Sequence, residues 1–300
     1  MAETIGIVGG GALGTLLASR LLAARADVRV VVRSASRHAA LIRDYPTLAA
    51  GPDSELLQGS EIVFLCVKAY YTEEVARSLS SLRLRDTAIC SLQNGWSHME
   101  FLATALPGLP LLAGATSMGA YLDEQGSLRS TEEGETYVAP WRDTDMRWAE
   151  RAVAFMKRAG LSADTRPDAR AVLWRKLVLN SAVNPVSALA LCPNGTLLKE
   201  RSLLRIAEHA ALEAARVGWK MKVLDPNFDP AGALRSILQE TAGNRSSMME
   251  DLCRGRRTEI EETAQGVHLP PRIGKRQEVG ARLCGHKVFL AISQLALSLP

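Results

Sequence analysis

The sequence predicts an α/β fold, a Rossmann-type doubly wound parallel sheet, followed by an all-helical C-terminal domain. In the first half of the 300 residues, short apolar runs typical of buried strands alternate with helical patterns. Beyond Arg166 and Pro167 the strand patterns nearly vanish and long helical patterns follow. We therefore expect two domains, residues 1–166 and 167–300, with a compositionally atypical tail at residues 263–300.

Each element is predicted from its apolar periodicity and from the turn residues that bound it. The strands are predicted at Thr4–Val8, Val28–Val32, Ile62–Val67, Thr87–Leu92, Leu111–Thr116, Thr136–Ala139 and Leu161–Thr165. The helices are predicted at Ala12–Ala24, Asp143–Ala159, Ala169–Leu191, Glu200–Val217 and Pro230–Arg254. Ligands of such sheets bind at the carboxyl ends of the strands, so the residues there are the first candidates for a site.

Composition excludes several classes of partner. Apolar residues make up 47% and charged residues 23% of the chain, which is typical of a soluble globular protein. The net charge of +4 suits anionic small molecules and is too small to indicate nucleic acid. Scattered cysteines without a CxxC pair favour a reducing, cytoplasmic setting, and the histidine spacing predicts no metal site. The apolar stretch Val288–Leu299 is too short to span a membrane.

A glycine-rich loop follows the first predicted strand and opens the first predicted helix. Its glycines have the G-x-G-x-x-G spacing that permits a tight turn, close approach of a pyrophosphate and close packing of helix on strand. The helix N-terminus would bind the phosphates through free N–H groups. A flexible glycine turn is the alternative. The candidate cofactor residues of this loop are Gly9, Gly10, Gly11, Ala12, Leu13 and Gly14.

Polar residues at the next strand ends refine the cofactor. Arg33 follows the second predicted strand, where an NAD enzyme usually has an acidic residue, and an arginine instead suits the 2′-phosphate of NADPH. Ser34 and Arg37 are candidates to assist, whereas a solvated surface arginine is the alternative. Lys68 and Asn94 follow the third and fourth predicted strands. Lys68 is a candidate to neutralise a phosphate or a substrate carboxylate, with a solvated lysine as the alternative. Asn94 is a candidate to hydrogen-bond the cofactor, with a simple turn as the alternative.

The stretch from Trp174 to Pro185 carries a polar face on an apolar helix. Lys176, Asn180 and Asn184 recur at four-residue intervals and therefore share one face, while leucines and valines occupy the adjoining faces. A lysine and two asparagines in such surroundings are costly to bury unless they bind something. A polar stripe facing solvent is the alternative.

Seven motifs together resemble the ketopantoate reductase (2-dehydropantoate 2-reductase) family, from Ile5 to about Glu262. They are GGGALG, LCVKAY, LQNG, WRKLVLNSAVNP, LCPNG, NRSSM and RRTEI, in the family's order and approximate spacing. The resemblance implies NADPH-dependent reduction of 2-dehydropantoate to pantoate in pantothenate synthesis. It implies that Lys176 is the general acid and that Glu259 contacts the bound ligands and keeps Lys176 charged. It further implies substrate contacts by Asn180, Asn184, Asn194, Asn244 and Ser247, and cofactor-side positions at Lys68, Asn94 and Ala120.

Two other readings stay open at this point. A related reductase would keep the mechanism and act on another 2-oxo acid. A non-catalytic NADPH-binding protein would explain the tail, in which residues 263–300 hold five Lys or Arg and a single acid, Glu278. This change of composition motivates the hypothesis of an altered reading frame or alternative C-terminus, which sequencing of the transcript would test. The resemblance leaves monomer and homodimer both open.

Overall fold

The computed structural model describes residues 3–130 and 134–267, and side chains as far as residue 263. The chain divides into two compact units. The first comprises Met1–Gln93 and His98–Val172, and the second comprises Asn94–Ser97 and Leu173–Pro300. The division thus falls between Val172 and Leu173, with a short excursion at residues 94–97 that the sequence did not indicate. The atypical tail beyond residue 267, which includes residues 288–299, lies outside the described residues.

The first unit is built on a sheet that has eight strands within the described residues. They are β1 Thr4–Val8, β2 Asp27–Val31, β3 Ala49–Gly51, β4 Ile62–Leu65, β5 Ala88–Ser91, β6 Leu111–Thr116, β9 Thr136–Pro140 and β10 Ala163–Thr165. Their order in the sheet is β10-β9-β6-β5-β4-β1-β2-β3, and all neighbours pair in parallel except β6 and β9. The apolar runs form these strands because they are covered on both faces. The strands β7 Ala120–Leu122 and β8 Leu128–Ser130 form a separate hairpin.

Helices cover this sheet and begin at capping residues. Ser34 accepts a hydrogen bond from Arg37 N at the start of the second helix, and Asp145 accepts one from Arg147 N at the start of the fifth. Ile5, Ile7 and Phe64 lie fully buried in the core of the sheet. The helices of this unit are α1 Ala12–Ala23, α2 Ala35–Asp44, α3 Thr72–Ser80, α4 Ser97–Ala105 and α5 Met146–Arg158. The predicted doubly wound α/β class is confirmed.

The strand order reverses at β1, which pairs with β2 on one side and with β4 on the other. This reversal leaves a crevice at the carboxyl ends of β1 and β4, the place where ligands of open α/β sheets bind. The glycine loop follows β1 and Lys68 lies beyond the end of β4. The topology therefore brings these two candidate segments to the same edge of the sheet.

Within the described residues, the regular secondary structure of the second unit is all helical, with α6 at Ala169–Leu189 and α8 at Arg201–Lys220. Trp174 on α6 is fully buried and donates a hydrogen bond to Ala214 O on α8 over 3.2 Å. Only glycine fits at position 218 of α8, because an added Cβ would lie 2.1 Å from the Trp174 Nε1. This packing fixes the helix two residues before Lys176. The helices are α6 Ala169–Leu189, which begins in the first unit, α7 Thr196–Lys199, α8 Arg201–Lys220, α9 Pro230–Glu240, α10 Ser247–Cys253 and α11 Ile260–Val267.

One predicted helix is wrong in a way that matters for the site. The single helix predicted over Pro230–Arg254 is two helices, separated by a turn at residues 241–246. Ser246 caps α10 by accepting a hydrogen bond from Met249 N, and a serine in that role begins a helix rather than continuing one.

Helix α6 continues past Pro185 to Leu189. None of the helices in the described part of the chain is long and apolar enough to cross a membrane.

Candidate functional site

The packing of the protein itself requires glycine at two positions of the loop after β1. Gly9 has φ of +115°, and a Cβ there would lie 3.0 Å from the carbonyl carbon of Cys66. A Cβ at Gly14 would lie 1.9 Å from Gly9 O, well inside contact distance. These two glycines let α1 start directly over the end of β1, which directs the helix N-terminus to the sheet edge.

Gly11 differs from its neighbours because the protein does not require it. Its backbone is extended, with φ of −71° and ψ of −174°, and any residue adopts that conformation. A Cβ at this position would have no described protein atom within 4 Å. Gly11 is also the cap residue of α1, where free N–H groups and the helix dipole favour an anion. The side-chain-free surface here fits a phosphate group that approaches the backbone closely.

Arg37 on α2 is bound to the loop. Its Nε donates to Gly10 O over 2.8 Å, and its Nη2 donates to Thr15 Oγ1 over 3.2 Å. Its Nη1 donates to Gly126 O in the β7–β8 hairpin over 2.6 Å. Arg37, a candidate to assist with the 2′-phosphate, thus acts here as a brace that holds the glycine loop to the hairpin, and burial lowers its pKa.

Arg33 lies just beyond β2 with an exposed guanidinium. It forms an ion pair with Glu74 of α3, and its Cζ stacks 4.6 Å from the centre of the Tyr71 ring. The stacking and the ion pair orient the guanidinium from two sides. Ser34, the cap of α2, adjoins it, and its Oγ lies 2.9 Å from Ser36 Oγ.

A buried glutamine ties together the ends of β4 and β5. The Nε2 of Gln93 donates to Thr72 Oγ1 over 3.0 Å and to Lys68 O over 3.3 Å, and its Oε1 accepts from Ser91 Oγ over 3.1 Å. The backbone of Lys68 is therefore fixed, while its side chain is partly exposed. Ala120, another cofactor-side candidate, begins β7. Gln93 is part of the LQNG motif, and no pattern in the sequence distinguishes it from the other residues of that motif.

The second unit brings together three residues that are distant in the chain, one of which is a lysine. Burial lowers the pKa of Lys176 to about 8, and the negative charge of Glu259 opposes this by raising it. Glu259 is itself buried, just before α11, and its Oε2 accepts a hydrogen bond from Asn94 Nδ2 over 3.1 Å. Asn94, Glu259 and Lys176 thus form one charged and hydrogen-bonded group within the described residues of this unit.

The turn that carries Asn94 is shaped to reach α11. Gly95 has φ of +93°, and a Cβ there would lie 3.1 Å from Glu262 O, so the turn closely approaches the first turn of the helix. Trp96 packs edge-on against Trp174, with ring centres 5.5 Å apart. Asn94 therefore sits with the helical unit, although the family resemblance implies a cofactor-side role for it.

The predicted polar face of α6 is present and half-buried. Lys176, Asn180 and Asn184 are each partly exposed, whereas the adjoining Leu177 and Val178 are buried. The face is thus neither sealed in the core nor fully solvated. Side chains in that condition remain accessible to a small polar ligand while the surrounding protein limits their contact with water.

The remaining substrate candidates lie around the turn between α9 and α10. Asn194 N donates to Asn244 O over 2.9 Å, and Asn194 Nδ2 donates to Thr241 Oγ1 over 3.0 Å. The side chain of Asn194 is buried, and its Oδ1 accepts no hydrogen bond from the described part of the chain. Asn244 is partly exposed, and Ser247, the first residue of α10, is exposed.

The comparisons with known proteins agree with one another. The family profile described as "Ketopantoate reductase PanE/ApbA" matches residues 5–143, and its C-terminal profile matches residues 168–281. The chain is similar to the 2-dehydropantoate 2-reductase of Archaeoglobus fulgidus, with 33% identity over 86% of this chain and 87% of that protein. The chain belongs to the ketopantoate reductase family. The C-terminal match runs past Glu262, where the motifs predicted that the resemblance ends.

Solved structures show the shared fold. A ketopantoate reductase family protein of Ralstonia eutropha JMP134 superposes with a TM-score of 0.80 at 23% identity, covering 98% of this chain and 99% of its own. The ternary structure of a D-mandelate dehydrogenase with NADH and anilino(oxo)acetate superposes with a TM-score of 0.86 at 22% identity, covering 98% of both chains. The predicted combination of a Rossmann-type sheet and a helical C-terminal region is thus the fold of this ketopantoate reductase family member and of its neighbours.

Asp251, a buried carboxylate, is not among the candidate residues that the sequence predicts. Asp251 of α10 pairs with Arg256 over 3.0 Å, and its backbone oxygen accepts Arg256 N over 2.8 Å. Both contacts anchor the segment that leads to Glu259.

The described residues contain no group of three His, Cys, Asp or Glu side chains that could hold a metal ion.

Proposed function

We propose that this protein reduces 2-dehydropantoate to pantoate with NADPH, the step that its family name implies for pantothenate synthesis. The observation that carries the proposal is the half-buried Lys176 on the polar face of α6, whose pKa is lowered by burial and raised by the charge of Glu259. A cation in such a place suits an anionic 2-oxo acid whose carbonyl oxygen must gain a proton. Family membership supports the same substrate class.

The glycine loop fits a nicotinamide dinucleotide. The uncrowded Gly11 backbone and the N-terminus of α1 would hold the pyrophosphate, and Arg33 would hold the 2′-phosphate of NADPH. We also propose cofactor contacts by Ala12 and Leu13, which belong to the glycine loop, and by Lys68 and Ala120, which match cofactor-side positions of the family. When bound, the nicotinamide ring supplies the hydride that reduces the ketone carbon. In this assignment the first unit binds the cofactor and the helical unit carries the proton donor.

Lys176 supplies the proton that completes the reduction. Its pKa of about 8 lies just above neutral pH, so the ammonium is mostly charged there and releases a proton more readily than an exposed lysine does. The same positive charge stabilises the oxygen as negative charge develops on it. Glu259 keeps the lysine charged by raising its pKa, and Asn94 orients the carboxylate of Glu259 through its hydrogen bond.

The substrate anchors are neutral amides and a hydroxyl. Asn180 and Asn184 share the helix face of Lys176, and we propose that they bind the carboxylate and hydroxyl groups of the substrate. Asn194, Asn244 and Ser247 are proposed as further contacts. The buried Oδ1 of Asn194 supports its inclusion, because it is an acceptor available for a substrate hydroxyl among the described residues.

The proposal is tested by measuring the loss of NADPH absorbance with each of three substrates: 2-dehydropantoate, pyruvate and an aromatic 2-oxo acid. We expect turnover with 2-dehydropantoate to exceed turnover with pyruvate and with an aromatic 2-oxo acid. Preference for either of the others would assign the protein to another reductase of the same mechanism. Cofactor binding without turnover of any 2-oxo acid would contradict the enzymatic assignment and favour a non-catalytic NADPH-binding protein.

A further inference from the structure

The guanidinium of Arg33 already has a partner in the protein before any cofactor is considered. Glu74 forms an ion pair with its Nη1, and Tyr71 stacks against its Cζ at 4.6 Å. The arginine lies beyond β2, whereas both partners come from the segment that follows β4. Two separate strand ends therefore contribute to one small cluster in the first unit.

This cluster contains the two opposite chemistries that distinguish the nicotinamide cofactors. An arginine at the end of the second strand suits a ribose 2′-phosphate, and a carboxylate there suits a ribose 2′-hydroxyl. A 2′-phosphate that bound Arg33 would have to displace the carboxylate of Glu74 or tolerate its negative charge. A 2′-hydroxyl would leave the ion pair intact, so Glu74 opposes only the phosphorylated cofactor.

We propose that Glu74 is a specificity-determining residue which acts through Arg33 and reduces the preference of this protein for the cofactor that carries a 2′-phosphate. The proposal rests on the proposed function, in which Arg33 binds that phosphate. Tyr71 keeps the guanidinium in place in both cases by stacking on its face. Of these two partners of Arg33, Glu74 is therefore the one that changes the charge that the phosphate meets.

Glu74→Gln tests the proposal, and Glu73→Gln is its matched control. Glu73 is the preceding residue on the same exposed helix turn, and it pairs with Arg77 over 2.9 Å rather than with Arg33. The side chains of Arg33 and Glu74 are 49% and 53% exposed, so the substitution leaves the core intact. The probes are adenosine 2′,5′-bisphosphate and adenosine 5′-monophosphate, titrated calorimetrically into the whole protein.

We expect Glu74→Gln to bind the bisphosphate about fivefold more tightly, the upper range for an exposed ion pair, and the monophosphate as wild type does. The ratio of kcat/KM for NADPH over NADH rises by a similar factor, with kcat unchanged. Affinities equal to those of Glu73→Gln, or a weaker bisphosphate complex, would overturn the proposal.

Arg33→Ala separates this proposal from the one on which it rests. If Arg33→Ala leaves bisphosphate binding unchanged, the assignment of NADPH to Arg33 fails, and the role of Glu74 fails with it. If Arg33→Ala weakens bisphosphate binding while Glu74→Gln has no effect, only the role of Glu74 fails. In the double variant the effect of Glu74→Gln shrinks, and an undiminished effect would contradict action through Arg33.

Discussion

The glycine loop and the lysine site are built in opposite ways. The loop is six consecutive residues whose shape is fixed by backbone packing, with Gly14 pressed against Gly9 O. The lysine site consists of Asn94, Lys176 and Glu259, which are far apart in the chain. A hydrogen bond joins Asn94 to Glu259, and burial and the charge of Glu259 together shift the pKa of Lys176. We therefore expect the loop to lose cofactor binding when side-chain atoms are added to it, and the lysine site to lose activity when a charge is removed from it.

The largest effect is expected at Lys176, the proposed proton donor. Lys176→Met removes the ammonium while keeping much of the side-chain volume, and we expect kcat/KM for 2-dehydropantoate to fall by about 10³-fold or more. Cofactor affinity stays within about twofold of wild type if the two regions act separately. The neighbouring Arg175, an exposed cation that stacks on Phe228, is the control, and Arg175→Met retains activity. Steady-state kinetics would contradict the assignment if Lys176→Met remained active.

Two alanine substitutions in the glycine loop separate folding from binding. Gly14→Ala forces a Cβ to within 1.9 Å of Gly9 O, and we expect it to lose about 3 kcal/mol of stability together with cofactor binding. Gly11→Ala meets no described protein atom within 4 Å, so we expect unchanged stability and loss of cofactor binding alone. Thermal unfolding and cofactor titration measure both. A Gly11→Ala protein that binds NADPH like wild type would show that the phosphates lie elsewhere.

A smaller effect is expected when the charge beside the lysine is removed. Glu259 raises the pKa of Lys176, so Glu259→Gln lowers that pKa further below its present value of about 8. A smaller fraction of the lysine is then protonated at neutral pH, and the alkaline limb of kcat/KM moves to lower pH. Glu261→Gln, an exposed carboxylate two residues on, is the control. A limb that stays in place would separate Glu259 from the titration of Lys176.

The smallest effect concerns the turn that carries Asn94. Gly95→Ala places a side chain at a φ of +93° and 3.1 Å from Glu262 O, and we expect a loss of about 1–2 kcal/mol of stability. Gly108→Ala has a similar φ of +88° and meets no atom of the described residues within 4 Å, so it isolates the contribution of the backbone conformation. Equal losses in the two variants, measured by chemical denaturation, would show that the contact with α11 carries no energy.

The same contrast explains what the sequence could predict. Gly9, Gly11 and Gly14 are predictable as a group because they lie in one short segment with a fixed spacing. Lys176, Asn180 and Asn184 were found for a similar reason, since one helix face has a fixed period. The hydrogen bond from Asn94 to Glu259 joins residues 165 positions apart, and no spacing in the sequence records such a tertiary contact. The ion pair of Asp251 with Arg256 is local, but it forms across the end of α10, where the helical period no longer applies.

Local signals also competed with each other. The apolar periodicity across residues 230–254 predicted one helix, although Gly243 and the capping Ser246 mark its interruption. The sequence makes Arg37 a candidate to assist with the 2′-phosphate, whereas its guanidinium donates to Gly10 O and Gly126 O. Sequence proximity did not reveal which direction the guanidinium faces.

The pH dependence of the wild-type reaction tests the central claim most directly. Burial lowers the pKa of Lys176 to about 8 against the opposing charge of Glu259, and in the proposed mechanism the protonated lysine donates the proton. The account predicts that kcat/KM for 2-dehydropantoate, measured at saturating NADPH, is level near neutral pH and falls as the pH rises through about 8. A rate that stays level to the pH at which an ordinary exposed lysine titrates would contradict it.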